Sequence, residues 1–324
     1  MRSIPDYTEA FNEYLESKIY LKDPANLYEP ILYILKLGGK RLRPVLTLMT
    51  AEIFDASYEK ALDAALAVEV FHNFSLVHDD IMDDAPLRRG QETVHEKWDI
   101  NTGILSGDAM LINAYQLFEN YDGNTFKDLA KLFSKTAIEV CEGQQYDVDF
   151  ETRDDVTIAE YLKMIQFKTA VLLGASLEMG AIVANASQSC RDSIYNFGRD
   201  LGIAFQLQDD YLDAFGDPLT FGKQVGGDII ENKKTFLYLT ALQKLDKSEA
   251  LQLQHLYSIN PPDPTGKIEA VKQLFVDSGA ALATQEEIKK YTQRAFSVLD
   301  QIDIENTKKE ILRDFGLALM KRTV

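Results

Sequence analysis

The chain is poor in several things that would settle its class at once. It has two cysteines in 324 residues, Cys141 and Cys190. That is too few for a disulfide framework or a four-thiolate zinc site, and it suits a reducing compartment, so a cytoplasmic location is expected. Basic residues are in deficit. Lys and Arg total 34 against 51 Asp and Glu, a formal net charge of −17. Such a surface repels polyanions, which argues against nucleic acid or an anionic membrane as partner. Long apolar runs are lacking too. The nearest, Thr169–Cys190, is rich in Ala, Gly and Ser and is interrupted by Glu178. It reads as a buried helix rather than a membrane span. Residues 1–20 carry Arg2, Asp6, Glu9 and Glu13 where a signal peptide would have an apolar core. Alternating β-type runs with hairpin turns are scarce.

What is present is helical period. Hydrophobic residues make up 46% and charged residues 26%, an ordinary globular balance. Tyr28–Leu37 is apolar at helical spacing and stops at Gly38-Gly39, a helix C-terminal signature. Pro44 suits the first turn of the next helix. Ala61–Met82 predicts a long helix ended by Pro86. Ile104–Phe118 and Lys127–Val140 are amphipathic. Thr157 and Glu160 form a capping box that opens a helix toward Lys168. Asp192–Phe215 is a second long helix, closed by Gly216-Asp217-Pro218. Glu269–Gly279 and Gln285–Leu317 complete the pattern. No repeat or composition break divides the chain. The expectation is an all-α fold with ten or more helices in one domain over residues 1–324.

Two acidic runs interrupt this pattern. In Asp79-Asp80-Ile81-Met82-Asp83-Asp84, Asp79 and Asp83 stack one turn apart, and Asp80 and Asp84 form a second row. Like charges at that spacing destabilise a helix unless a cation neutralises them. Hard oxygen donors so arranged suit Mg²⁺, which completes its shell with water and phosphate. A solvated acidic helix end is the plainer alternative for one such run. The spacing recurs, however, in Asp209-Asp210-Tyr211-Leu212-Asp213, with Asp217 a turn further on. Both runs end mainly apolar helices, where carboxylates oppose the helix dipole and need a cation. Together they would make a polynuclear Mg²⁺ site able to hold a diphosphate. The scarce basic residues gather near them: Lys40, Arg41 and Arg43; Arg88-Arg89-Gly90; Lys168-Thr169; and Lys223 with Lys233-Lys234 around Gly226-Gly227-Asp228. Arg offers forked contacts to phosphate and Lys a point charge.

Taken in order, Gly38-Gly39-Lys40-Arg41-x-Arg43-Pro44, Asp79-Asp80-x-x-Asp83, Arg88-Arg89-Gly90, Gly143-Gln144-x-x-Asp147, Lys168-Thr169, Asp209-Asp210-x-x-Asp213 and Gly226-Gly227-Asp228 resemble the trans-isoprenyl diphosphate synthases, or polyprenyl synthetases. The resemblance implies a helical bundle around a central cavity, usually a homodimer. It implies a prenyltransferase that joins isopentenyl diphosphate head to tail to an allylic diphosphate (dimethylallyl, geranyl or farnesyl). Three Mg²⁺ ions are implied, with Mn²⁺ as a substitute. Asp79 and Asp83 would hold two and Asp209 the third, with Asp80, Asp210 and Asp213 as further acidic ligands. Arg88, Lys168, Lys223 and Lys233 would contact the allylic diphosphate, with Lys234 an alternative to Lys233. Lys40, Arg43, His72 and Arg89 would hold isopentenyl diphosphate. Thr169, Gln206 and the Lys168 carbonyl would stabilise the carbocation, and Gln144 and Asp147 would line the same cavity. No side-chain base is needed, since released diphosphate can take the proton; the scarcity of histidine, four in the chain, accords with that. His78 and His95 read as supporting, packed histidines.

Chain length is expected to depend on residues just before Asp79. Phe74 and Ser75 lie five and four positions before it, and Phe71 a turn further back. One aromatic at Phe74, without a second beside it, resembles synthases that make the C20 product. Geranylgeranyl diphosphate is therefore expected. Farnesyl diphosphate is the alternative, ahead of a class I terpene cyclase or a non-catalytic synthase subunit. A cyclase normally mixes Asn, Ser or Thr with Glu in its second metal motif, and a non-catalytic subunit tends to lose one acidic run. The sequence has neither feature.

Overall fold

A computed structural model describes residues 1–217 and 225–321; Lys223 lies outside the described residues. The described chain is almost entirely helical, as expected. In order, α1 is Ile4–Lys18, α2 Ala25–Lys36, α3 Leu42–Ile53 and α4 Leu62–Met82. A hairpin of β1 (Leu87–Arg88) and β2 (Gln91–Glu92) leads to α5 (Val94–Lys97), α6 (Ile100–Phe118), α7 (Gly123–Thr152) and α8 (Ile158–Ile165). A π turn, Gln166–Ala170, joins α8 to α9 (Val171–Val183), and α10 is Gln188–Phe215. Beyond it come Gly227–Ile230, Phe236–Lys244, Lys247–Leu256, Thr265–Asp277, Ala280–Gln301 and Asn306–Met320.

Several expected boundaries shift. Lys127–Val140 is the middle of the longer α7, and Asp192–Phe215 begins a turn earlier, at Gln188. Gln285–Leu317 is not one segment; the chain leaves the helix at Ile302, whose backbone is extended, and restarts at Asn306. The apolar run Thr169–Cys190 is likewise split, with α9 ending at Val183 and Asn185 left-handed. No helix among the described residues is long and apolar enough to cross a membrane.

The chain divides into two compact units. One comprises Met1–Lys135 and Ala175–Asp192, the other Thr136–Gly174 and Ser193–Val324. In the first, α4 is the central helix and packs on α3 and α6. Its buried residues run through Ala64, Ala65, Leu66, Ala67, Val68, Val70, Phe71 and Phe74, which cover every side of the helix. A helix apolar all round is a core helix. It stays mainly apolar through Val77, with Glu69, His72 and Asn73 as polar exceptions, so the acidic run emerges where the helix ends. In the second unit, Ile203 and Leu207 of α10 belong to a core with Phe236, Leu237, Leu253, Val271 and Phe275. The second acidic run sits in the last two turns of α10.

Candidate active site

In the first unit, α4 ends at Met82. Asp84 turns left-handed at φ 50° and the chain enters the hairpin. The two loop residues of that hairpin, Arg89 and Gly90, have φ of 54° and 74°. That is the geometry of a type I′ turn, whose twist matches that of paired strands. Arg88 is thereby aimed back at the helix. Its Nε donates to both Asp80 oxygens at 2.8 Å, and its Nη2 donates to Asp80 Oδ1 at 2.6 Å. Asp80 is 1% exposed, so its charge is spent on placing Arg88. Asp79 stands 3.9 Å from the same guanidinium, and Asp83 is exposed one turn on.

An anion-seeking cluster lies in the same unit. His72 is half-buried. Burial and, after it, the charges of Arg43, Arg89, Arg88 and Arg41 push its imidazole well below the usual range. Arg43 is itself lowered by burial, with Glu69 acting the other way. Its buried Nε has no hydrogen-bond partner among the described residues. Buried donors are nearly always satisfied, so this guanidinium is set for an anion. Arg89 Nη1 donates to the Gly38 carbonyl. A Cβ on Gly39 (φ 132°) would come within 2.9 Å of Arg89 Nη2, so the second glycine of the pair makes room for that side chain. Lys40 is exposed on the same loop.

Arg41, which its place in the sequence groups with the phosphate-reading Lys40 and Arg43, is instead structural. It is left-handed at φ 48° and buried at 6%. Its Nη1 donates to Glu69 at 2.5 Å and its Nη2 to the Leu35 carbonyl at 2.6 Å. Asn73 Nδ2 completes the group with a 3.1 Å bond to Glu69. The signal that could have found it is Glu69 itself, a carboxylate in the middle of an apolar helix. Beneath the acidic end of α4, Phe74 packs 5.5 Å from Phe71, which lies 5.0 Å from Phe133 (ring centroids). Ser75 Oγ donates to the His72 carbonyl.

The second unit holds a cavity of about 480 Å³ lined by Asp209, Asp210, Asp213 and Asp228, with Lys168, Thr169, Gln206, Asp147 and Lys233 around it. Asp210 is buried, and its carboxylate accepts hydrogen bonds from Tyr161 and from Gln206 Nε2, the latter at 3.0 Å. Asp213 Oδ2 accepts from the Asp228 amide at 3.0 Å. Burial, and then the carboxylates of Asp209 and Asp213, raise Asp210 well above the ordinary carboxylate range. Burial and the charges of Asp210 and Asp213 do the same to Asp228. An all-oxygen set that crowded fits Mg²⁺. Sequence reading gave Asp228 and Tyr161 no role. Gly226-Gly227 was the available signal for Asp228, since the left-handed Gly226 (φ 85°) turns the chain back to Asp213.

The π turn presents Lys168 and Thr169. Lys168 Nζ donates to Asp147 at 2.5 Å, and Thr169 Oγ1 donates to Gln206 Oε1 at 3.2 Å. π turns are frequent at functional positions. This one is tied to Gly143 of α7, where an added Cβ would meet the Lys168 amide at 2.2 Å. Gln144 follows it, with Nε2 buried and without a hydrogen-bond partner among the described residues. Lys234 caps the end of α7 by donating to the carbonyls of Phe150 and Arg153, whereas Lys233 reaches Glu231 at 2.8 Å on the cavity rim.

These raised acids give a pH-dependent expectation. Without metal, the folded protein holds protons on Asp210 and Asp228 near neutrality that the unfolded chain has released. Their contribution to stability therefore declines as pH rises from the usual carboxylate range through the raised values. Divalent metal must displace those protons. Calorimetry of Mg²⁺ binding in buffers of different ionisation enthalpy is expected to show proton release at about pH 6 that fades by about pH 9. Binding with no proton release at either pH would remove the acids from the metal site.

Residues 24–275 match the polyprenyl synthetase family. The chain belongs to that family. It is 37% identical over 322 residues to a geranylgeranyl pyrophosphate synthase of Geoglobus acetivorans, covering 98% of each chain. It is 35% identical to a geranylfarnesyl diphosphate synthase of Natronomonas pharaonis, over 99% of this chain and 97% of that one. A crystal structure of a geranylgeranyl pyrophosphate synthase superposes with a TM-score of 0.96 at 55% identity, covering all of both chains. The polyprenyl synthetase match takes in both acidic runs, both arginine pairs and the π turn.

Proposed function

We propose that this polyprenyl synthetase condenses isopentenyl diphosphate with an allylic diphosphate, head to tail, and that its main product is geranylgeranyl diphosphate. The observation that carries the reaction is the cavity in which buried carboxylates stand beside Lys168, Thr169 and Gln206. An acidic set that binds no anion alone becomes a diphosphate site once hard cations fill it. The product assignment is supported by the 55% identity to a geranylgeranyl pyrophosphate synthase along the whole of both chains.

In this reading Asp79 and Asp83 would hold two Mg²⁺ ions, and Asp209, supported by Asp210 and Asp213, would hold a third, with Mn²⁺ as a substitute. Ions so held would supply charge that offsets the allylic diphosphate as a leaving group. Arg88, fixed by Asp80, and Lys168, fixed by Asp147, orient that diphosphate, with Lys233 at the rim. Arg43, Arg89, Lys40 and neutral His72 bind the diphosphate of isopentenyl diphosphate. The Thr169 hydroxyl, the Gln206 carbonyl and the Lys168 carbonyl present oxygen dipoles to the allylic cation. The departed diphosphate takes the proton, so no side chain acts as base. Both units supply residues to one activity of the whole chain, acting as a homodimer in the cytoplasm.

Incubation with labelled isopentenyl diphosphate, Mg²⁺ and an allylic primer tests this directly. Mg²⁺-dependent consumption with a dominant C20 product is expected, and a dominant product longer than C25 would overturn the product assignment. Phe74 is the side chain set to stop the growing chain, with Phe71 behind it. Phe74→Ala is expected to shift the products to longer chains at little cost in turnover. An unchanged product length would place the stop elsewhere.

A further inference from the structure

Beside the hairpin lies a group of side chains that the condensation reaction does not use. Asp84, His95 and Glu96 bring a carboxylate oxygen each and an imidazole nitrogen within 4.8 Å of one another. His95 is 8% exposed, yet neither ring nitrogen has a hydrogen-bond partner among the described residues. Glu96 Oε1 is 3.7 Å from Nε2, too long for a hydrogen bond. A buried imidazole left unsatisfied keeps its full desolvation penalty, and such groups are rare in folded proteins. The three residues also line a cleft of about 680 Å³, which gives an ion and its waters a way in.

From these residues we infer a separate divalent transition-metal site of the Zn²⁺ class at Asp84, His95 and Glu96. The donor set decides the metal. An imidazole with two carboxylates favours Zn²⁺, Co²⁺ or Mn²⁺ over Mg²⁺, which selects oxygen alone. In a tetrahedral shell, metal–ligand bonds of about 2.0–2.2 Å set two ligand atoms about 3.3–3.6 Å apart. The 3.7 Å pair is close to that spacing, and the exposed Asp84 side chain needs to close by about an ångström, within the reach of a rotamer change. Two carboxylates neutralise the ion, and the remaining positions go to water. None of these ligands belongs to the Asp79–Asp83 row or to the α10 cavity, so the site is distinct from both. Its place in the chain gives it a role. Asp84 precedes the hairpin and His95 and Glu96 follow it, where Thr93 already donates to the Ala85 carbonyl at 2.8 Å. The ion would tie the two ends of the segment that carries Arg88 and Arg89.

The full chain, saturated with Mg²⁺ to fill its all-oxygen sites, is titrated with Zn²⁺ against a chromophoric chelator, and retained metal is counted by mass spectrometry. One Zn²⁺ per chain is expected. His95→Gln is expected to weaken it more than about 100-fold, beyond what loss of a ligand's supporting partner costs, and Glu96→Gln by about tenfold or more. Zn²⁺ is also expected to slow tryptic cleavage after Arg88 and Arg89 in the wild type but not in the variants. Circular dichroism checks folding. If His95→Gln does not fold, the exposed Asp84→Asn and Glu96→Gln decide the matter. Equal Zn²⁺ affinity in wild type and folded variants, or no bound Zn²⁺ at all, overturns the site. Metal counting reads binding without turnover, so its failure leaves the prenyltransferase reading untouched.

Discussion

Asp209→Ala is expected to lower kcat by about 10³-fold or more, because a metal-held leaving group draws several kcal/mol from its ion. Asp79→Ala is expected to do the same. The neighbouring carboxylates separate ligation from support. Asp80 gives its oxygens to Arg88, and Asp210 accepts from Tyr161 and Gln206. Asp80→Asn should therefore act through Arg88: KM for the allylic diphosphate rises, because the forked contact is lost, while the number of Mg²⁺ ions bound does not change. Asp209→Ala should instead reduce the Mg²⁺ bound in calorimetry and leave the fold intact. Turnover near wild type in both Asp209→Ala and Asp79→Ala would sink the metal assignment.

The parts of this molecule that were legible in the sequence are those set by near neighbours along the chain. The core helix α4 shows as a long, mainly apolar stretch, and the acidic runs show because helical spacing alone stacks Asp79 on Asp83. The capping box at Thr157 is equally local, and the structure contains it. What stayed hidden depends on partners distant in sequence. The π turn at Gln166–Ala170 rests on the bare Cα of Gly143, two dozen residues earlier. Lys233 and Lys234 are indistinguishable as a pair of lysines. They part only because the end of α7 offers its carbonyls to one of them. The break between Gln301 and Asn306 lacks Gly or Pro, so helical period runs straight across it.

Arg41 shows how a motif residue can serve the fold rather than the substrate, and it carries the second large effect. Replacing it with alanine would leave Glu69 3% exposed, with Asn73 as its one side-chain hydrogen-bond partner among the described residues and Arg43 and Arg89 as the nearby charges. Breaking a buried pair from one side costs about 3–5 kcal/mol, since the remaining charge keeps its desolvation penalty. Thermal unfolding should move down by about 6–10 °C, at roughly 2 °C per kcal/mol for a chain of this size. Arg41→Met combined with Glu69→Leu removes both charges and fills the space, and is expected to recover most of that loss. The kinetic consequence follows from position. Arg41 opens α3 in a left-handed conformation between Lys40 and Arg43, and its bond to the Leu35 carbonyl ties that turn to the end of α2. Losing the tie displaces Arg43, so KM for isopentenyl diphosphate should rise in Arg41→Ala well before kcat falls. A loss of stability under about 1 kcal/mol in the single variant would mean that the charges of Arg43 and Arg89 suffice to hold Glu69, and would remove the structural role assigned to Arg41.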